Sequence, residues 1–224
     1  MKANRTSNRQ FRVLIVDDHP MTRAGLVYLI NHQPDMIACA EAENAGRALD
    51  AVRETNPDIA LVDITLPGKS GLELIKDIKA IKPELPMLVI SMHDESLYAE
   101  RSLRAGARGY ITKHEGGEKL MEAVRQILAG KIYVSEKLAA EILEIFSGVQ
   151  SPGERGPIEQ LSDREFEVFE LLAKGLSSQE IAEQLHLSSK TVDAHRANIK
   201  SKLKFKTTSE LIAYAARWVG SADK

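Results

Sequence analysis

Apolar residues in the first 130 positions fall into short runs, and four of these runs stop on a polar side chain. Residues 11–16 lead into Asp17 and Asp18, 58–62 into Asp63, 86–90 into Ser91, and 110–112 into Lys113. Runs this short and this rich in Val, Ile and Leu read as strands buried on both faces of a parallel sheet. Between them the apolar positions recur with helical spacing, as in Leu72, Leu74, Ile75 and Ile78, or Leu120, Val124, Ile127 and Leu128. The pattern predicts strands at 12–16, 36–40, 59–62, 87–90 and 109–112, and helices at 21–32, 45–55, 72–81, 97–105 and 119–129. Strict alternation of β and α units implies an α/β fold, a doubly wound five-stranded parallel sheet with right-handed crossovers and helices on both faces.

After residue 130 the strand pattern stops. A helix is expected at 135–146, followed by a linker rich in Gly, Pro, Ser and charge. Four helical segments come next, a small all-α domain. Ser162, Ser177 and Thr207 are each followed three residues later by a glutamate (Glu165, Glu180, Glu210), the spacing of a capping box. Gly175 fits the left-handed stop of the first of these helices, and Ser188 or Ser189 caps the third. The expected division is a first domain at 10–130, a linker with one helix at 131–157, and a second domain at 158–224.

In open parallel sheets ligands bind outside the carboxyl ends of the strands. The pattern therefore gathers Asp17, Asp18, Asp63, Ser91 and Lys113 at one edge. Adjacent carboxylates repel unless a cation sits among them, and Mg²⁺ prefers oxygen ligands. This edge is a candidate site for Mg²⁺-dependent phosphoryl chemistry. A lone Asp after a strand is commonly a helix cap, but this combination is hard to explain by capping.

In the second domain, a helix at 178–185, a turn at His186 and Leu187 and a helix at 189–203 have the layout of a helix-turn-helix. Val192, His195, Ile199 and Leu203 share one face and should pack inward, with His195 a satisfied histidine of that face. The opposite face carries Ser189, Lys190, Asp193, Ala197, Lys200 and Lys204. A polar face with a basic end suits a helix in the major groove of double-stranded DNA. Asp193 can accept from a cytosine amino group, and Ala197 is small enough to touch a thymine methyl.

Charge sharpens this picture. The chain has a net charge of −2, but residues 154–183 carry eight acidic and three basic side chains, and 187–206 carry six basic and one acidic. A reversal that sharp looks like a face built for a polyanion. Composition is that of ordinary soluble protein, 43% hydrophobic and 28% charged, with no apolar stretch approaching a membrane span. Residues 1–10 are basic and polar without an apolar segment, which reads as a frayed arm and not a secretory signal. The single cysteine, Cys39, allows no intrachain disulfide and is expected to be a buried, inert thiol, consistent with a cytoplasmic setting. The single tryptophan, Trp218, falls outside the first domain and is expected to report poorly on it.

The motifs RVLIVDDHP (12–20), DIALVDITLPGKSG (58–71), VISMHD (89–94) and RGYITK (108–113) closely resemble the receiver domain of bacterial two-component response regulators, a flavodoxin-like fold. LSDREFEVFELLAKGLSSQEIAEQL (161–185), followed by SSKTVDAHRANIKSKL (188–203), resembles the LuxR-type helix-turn-helix of the NarL/FixJ subfamily. The resemblance implies Asp63 as phospho-acceptor, Asp18 as a direct Mg²⁺ ligand, Asp17 acting mainly through water, and the Thr65 carbonyl completing the metal's ligands. It implies Lys113 as the partner of the phosphoryl group, Ser91 as the switch hydroxyl, and Tyr110 as an aromatic that turns inward when Ser91 moves. It places DNA contacts at Lys190, Thr191, Asp193, Ala194, Arg196, Ala197, Lys200 and Lys204. The implied partners are a sensor histidine kinase as phosphodonor, DNA, and a second copy of the chain on phosphorylation or DNA binding. The implied function is a phosphorylation-controlled transcription regulator, with no enzymatic activity beyond assisting its own phosphorylation and dephosphorylation. A phosphatase with a phospho-aspartate usually carries a second Asp two residues on, where this chain has Thr65. A regulator independent of phosphorylation would be expected to lack part of the acidic site. No Gly-rich loop follows the first strand, which disfavours a nucleotide-binding enzyme.

Overall fold

The computed structural model describes residues 9–136, 138–140 and 157–222. Five strands, β1 (Phe11–Val16), β2 (Met36–Ala42), β3 (Ile59–Val62), β4 (Met87–Ser91) and β5 (Gly109–Thr112), form a parallel sheet in the order β2-β1-β3-β4-β5. That is the doubly wound order 2-1-3-4-5, with its switch point between β1 and β3. Helices α1 (Pro20–Asn31), α2 (Ala45–Thr55), α3 (Gly71–Ile81), α4 (Glu95–Ala105) and α5 (Gly116–Leu128) connect and follow the strands.

Alternation along each strand sorts the core. Val13, Ile15, Leu61, Ile90 and Ile111 pack with Leu26 and Ile30 of α1 and Leu120, Val124 and Ile127 of α5. Leu14, Val16, Val62, Val89 and Tyr110 face the other way, toward α2, α3 and α4. Beyond α5 the chain turns back beside β5, where Tyr110 N donates to Tyr133 O (3.0 Å) and Tyr133 N to Arg108 O (3.0 Å). This covers an edge that would otherwise expose unpaired backbone groups.

The expected elements are present, with shifted ends. β2 runs two residues further, to Ala42, and α4 starts at Glu95 because Asp94 caps it by accepting from Ser96 N (2.8 Å). Cys39 is half-buried, not buried, because β2 is an edge strand; its Sγ lies 3.6 Å from Thr55 Oγ1. Of the helix expected at 135–146, Ser135 precedes the helix and accepts from Leu138 N (3.2 Å), residues 136 and 138–140 are helical, and the remainder lies outside the described residues with most of the linker.

The second half begins with a 3₁₀ turn (Pro157–Gln160), followed by α6 (Asp163–Ala173), α7 (Ser178–Gln184), α8 (Ser189–Leu203) and α9 (Thr208–Ala222). All three capping boxes form: Ser162 with Glu165, Ser177 with Glu180, and Thr207 with Glu210. Each such cap is worth about 1 kcal/mol. Ser188 caps α8 by accepting from Thr191 N, and Gly175 takes φ +80° after α6. Phe166, Phe169, Val192, Ile199, Leu203, Leu211 and Ala215 form the core of this half, which is continuous with the α2–α4 side of the sheet.

Candidate functional site

Each polar residue that ends a strand is held in place by the sheet ladder running one step past the strand. Asp17 N donates to Ala42 O (3.0 Å), Asp63 N to Val16 O (2.9 Å) and Lys113 N to Ser91 O (2.8 Å). The side chains therefore converge. Lys113 Nζ lies 2.7 Å from Asp17 Oδ2 and 2.7 Å from Asp63 Oδ2. Gly71, at the start of α3, packs so tightly on Asp63 that an added Cβ would stand 1.9 Å from the Asp63 carbonyl oxygen.

Donor atoms of Asp17, Asp18, His19 and Asp63 all lie within 4.8 Å of one another. Buried Asp17 Oδ2 and Asp18 Oδ1 lack a well-directed hydrogen bond, although Lys113 Nζ and His19 Nδ1 stand close to them. Buried carboxylate oxygens left short of hydrogen bonds are what a hard cation satisfies. Thr65 sits at the pocket wall, with its N–H 3.4 Å from Asp63 Oδ1. Burial, reinforced by Asp17 and opposed by Lys113, pushes the Asp63 carboxyl up to about 6. Burial alone would lower Lys113, but Asp63 and Asp17 outweigh it and hold the ammonium above its ordinary value.

Ser91 is fully buried, and its Oγ accepts from His93 N (3.1 Å). Tyr110 is buried and its hydroxyl donates to His93 O (2.8 Å), so its ring points inward in this structure. His93, to which sequence reasoning gave no role, lies between these groups and the second half of the chain. Its Nε2 is 3.1 Å from Thr65 Oγ1 and its Nδ1 is 3.0 Å from Glu170 Oε2 on α6.

Glu170 belongs to the acidic run of 154–183. Tyr98 of α4 donates to its Oε2 (2.6 Å), and Lys174 pairs with it as well. Burial would raise Glu170, yet its bonds to His93, Lys174 and Tyr98 hold it at about 2. Asp163 pairs with Lys76 of α3 (2.6 Å). Arg101 of α4 donates to Leu161 O (3.2 Å) and Ile158 O (3.0 Å) and lies 4.0 Å from the Phe166 ring centroid. Arg164 ion-pairs with Glu167, whose carboxyl burial pushes up to about 7 against the pull of Arg164. Two of the acidic residues in the charge reversal, Asp163 and Glu170, therefore serve an interface between the two halves. The signal was available: acidic residues at i, i+4 and i+7 (Asp163, Glu167, Glu170) share a helix face with Phe166.

On α8, Val192, Ile199 and Leu203 are buried and His195 is half-buried, as the helical spacing requires. Lys190, Asp193, Ala194, Ala197 and Lys204 are exposed, and Thr191 and Lys200 are intermediate. Arg196 is half-buried and bonded to Ser178 Oγ, which itself donates to Asp193 Oδ1 (2.7 Å). α7 and α8 are thereby tied together through two of the expected DNA contacts. Among the described residues no helix is long and apolar enough to cross a membrane.

Residues 13–125 match the response regulator receiver domain family, and residues 159–215 match the family of bacterial regulatory proteins of the luxR type. The chain is 37% identical to the oxygen regulatory protein NreC of Staphylococcus haemolyticus (strain JCSC1435), over 92% of this chain and 97% of that protein. A crystal structure of a LuxR-family two-component response regulator from Aurantimonas sp. SI85-9A1 is 39% identical, with a TM-score of 0.57, covering 63% of this chain and 99% of that one. A structure of two RcsB dimers bound to two parallel DNAs is 25% identical, with a TM-score of 0.56, covering 93% of this chain and 98% of that one. The chain belongs to the two-component response regulators that join a receiver domain to a luxR-type DNA-binding domain. It is a phosphorylation-controlled transcription regulator and not a classical enzyme.

Proposed function

We propose that the receiver, residues 10–130, accepts a phosphoryl group on Asp63, and that the domain at 158–224 responds to it by binding double-stranded DNA through α8. The observation that carries this reading is the convergence of Lys113 on Asp17 and Asp63, at 2.7 Å each. An Asp63 oxygen attacks the phosphorus in line. The bond from phosphorus to the donor's nitrogen (in a phosphohistidine of a sensor kinase) or oxygen (in an acyl phosphate) breaks, and its electron pair leaves with the donor. A carboxyl group near 6 remains mostly ionised at neutral pH yet is more basic than an ordinary aspartate, which favours attack. Lys113 stabilises the negative oxygens of the transferring group. Asp17, Asp18, Asp63 and the Thr65 carbonyl would hold Mg²⁺, which when bound supplies further charge neutralisation to the same oxygens.

The product carries nearly two negative charges and strong acceptor oxygens. Ser91, now bonded to His93 N, can turn to donate to one of them. His93 and Tyr110 lie directly behind it and connect it to α4 and to Glu170. Loss of the same phosphoryl group to water, assisted by the same residues, resets the site.

The exposed face of α8 supports the DNA reading, with Lys190, Lys200 and Lys204 for phosphates and Asp193, Ala194 and Ala197 for base edges. One such helix covers a few base pairs, so two copies on two half-sites are expected. In α9, Leu211 and Ala215 belong to the domain's own core and half-buried Ile212 remains for pairing two subunits. The setting is the cytoplasm. The test is intact-mass and peptide analysis after exposure to Mg²⁺ and acetyl phosphate. One phosphoryl group on Asp63 is expected, and undiminished labelling of Asp63→Asn would remove the assignment.

A further inference from the structure

The one carboxylate on the reading face of α8 is held from two sides. The Asp193 side chain is 62% exposed, yet its Oδ1 accepts from Ser178 Oγ of α7 at 2.7 Å. Arg196 Nη1, about one turn further along α8, stands 3.5 Å from the same oxygen. Arg196 Nη1 also donates to Ser178 Oγ, which closes the three side chains into a ring. Among the described residues every hydrogen bond of the Asp193 side chain falls on Oδ1, so Oδ2 remains available to accept.

Ser178 is itself fixed. It opens α7 directly after Ser177, whose hydroxyl accepts from Glu180 N (3.3 Å) while Glu180 Oε2 accepts from Ser177 N (2.8 Å). Buried Ile181 of α7 and Val192 of α8 belong to one core. The separation of Ser178 and Asp193 is therefore set by the fold. Arg196 is only 23% exposed and faces inward to this ring, unlike exposed Lys190 and Lys204, so it is poorly placed for the phosphate contact expected of it.

We infer that Ser178 is a specificity-determining residue: with Arg196 it holds Asp193 in the orientation from which Oδ2 accepts from a cytosine amino group. The inference rests on the reading of Asp193 as a base contact. Phosphates repel a carboxylate, so Asp193 adds nothing to general affinity for DNA and is useful on this face only through its direction. An ionised carboxylate accepts and never donates. In the major groove cytosine offers an amino donor alone, whereas adenine sets an acceptor beside its own, and guanine offers acceptors only. Two contacts to Oδ1 orient the side chain before DNA arrives, so less freedom is lost on binding. Arg196 offsets the carboxylate's charge at the same time.

The experiment is selection from a pool of randomised duplex DNA by the full chain after treatment with Mg²⁺ and acetyl phosphate, with the bound duplexes sequenced. The proteins are wild type, Asp193→Ala, Ser178→Ala, Ser178→Thr and Arg196→Ala. Asp193→Ala is expected to abolish a preference for cytosine at one position of each half-site. Ser178→Ala and Arg196→Ala should weaken the preference at that same position by at least about threefold. Ser178→Thr keeps the hydroxyl and should restore it. Ser178 is uncharged, so Ser178→Ala should keep the wild-type salt dependence on random duplex, whereas a general structural defect would weaken binding to every sequence. A preference lost in Asp193→Ala but kept in Ser178→Ala overturns the inference and leaves Asp193 as a reader. Equal loss in Ser178→Ala and Ser178→Thr also overturns it, because the hydroxyl is then not what matters. A preference lost in Ser178→Ala and Arg196→Ala but kept in Asp193→Ala overturns it as well, since Arg196 would then be the reader. Wild-type preferences in all four variants would instead remove the base-contact reading of Asp193, and the inference with it.

Discussion

His93 Nδ1 lies 3.0 Å from Glu170 Oε2, and through this contact the strand end that carries Ser91 reaches the first helix of the DNA-binding domain. The pair is well buried, with Glu170 also taking the Tyr98 hydroxyl at 2.6 Å. Breaking one partner of a buried polar pair leaves the other without compensation, which costs more than the pair's net worth.

The first prediction concerns acid. Glu170 is held at about 2, against an ordinary value of 4.5. A carboxyl lowered in the folded state contributes stability that is fully present above 4.5 and is lost as the pH falls toward 2. The contribution is on the order of 3 kcal/mol. Urea titrations of wild type and Glu170→Gln, followed by Trp218 emission, should show a clear gap in midpoint at pH 6 that narrows at pH 3. A gap of the same size at both values would mean that Glu170 is not held down by its partners.

The second concerns the switch. Ser91→Ala and Tyr110→Phe should take up phosphate at near wild-type levels, because neither residue contacts Asp63 through a hydrogen bond that attack requires. Tyr110→Phe removes the bond to His93 O and Ser91→Ala the bond to His93 N. Both should blunt the gain in DNA binding that phosphorylation brings. A full gain in both variants would sever His93 from the signal.

The third concerns Gly71. Its Cβ, if present, would lie 1.9 Å from Asp63 O and 2.8 Å from Ile64 Cα, both backbone atoms that cannot swing aside. Gly71→Ala should therefore move the acceptor loop or the start of α3, at a cost of about 1–3 kcal/mol. Acetyl phosphate labelling should slow with it, while the far-UV spectrum stays near wild type. Unchanged stability together with unchanged labelling would show that the loop yields freely.

The receiver was legible because its chemistry sits at strand ends, where a run of Val, Ile and Leu fixes both the strand and the residue that follows it. Asp17, Asp63, Ser91 and Lys113 are all of this kind; the side chains of Asp17, Asp63 and Lys113 meet, and Ser91 joins Lys113 through its backbone carbonyl. His93, Glu170 and His186 were not legible. Each lies in a turn or on a helix whose own pattern is already complete, and the contacts they make between the halves, from Tyr98 with Glu170 to Asp18 with His186, join residues 72 to 168 positions apart in sequence. Local periodicity carries no information about docking at that range. The acidic residues of α6 show the same limit: their charge was visible, but Lys76 and Arg101 as partners were not.

The last prediction separates the lysines of α8. All of them are basic by sequence, but they are not equally available to DNA. Lys202 is 2.5 Å from Glu165 Oε2, and this contact, with the Ser162 backbone, overcomes burial to hold Glu165 below its ordinary value. A lysine already neutralised by a carboxylate releases few counterions when it meets a phosphate. Lys204 is exposed, and Lys200 lies four residues before it near the same end of the helix. Each phosphate contact contributes about one unit to the slope of log affinity against log salt. Binding to random-sequence duplex DNA over a salt series should lose about one unit in Lys200→Ala and in Lys204→Ala. Lys202→Ala should leave the slope close to wild type and instead lower thermal stability, because Glu165 in the first turn of α6 then keeps only its capping-box bonds to Ser162. If Lys202→Ala reduced the slope as much as Lys200→Ala, the Glu165 contact would have to open on DNA, and α8 would lie in the groove rotated toward its Glu165 side.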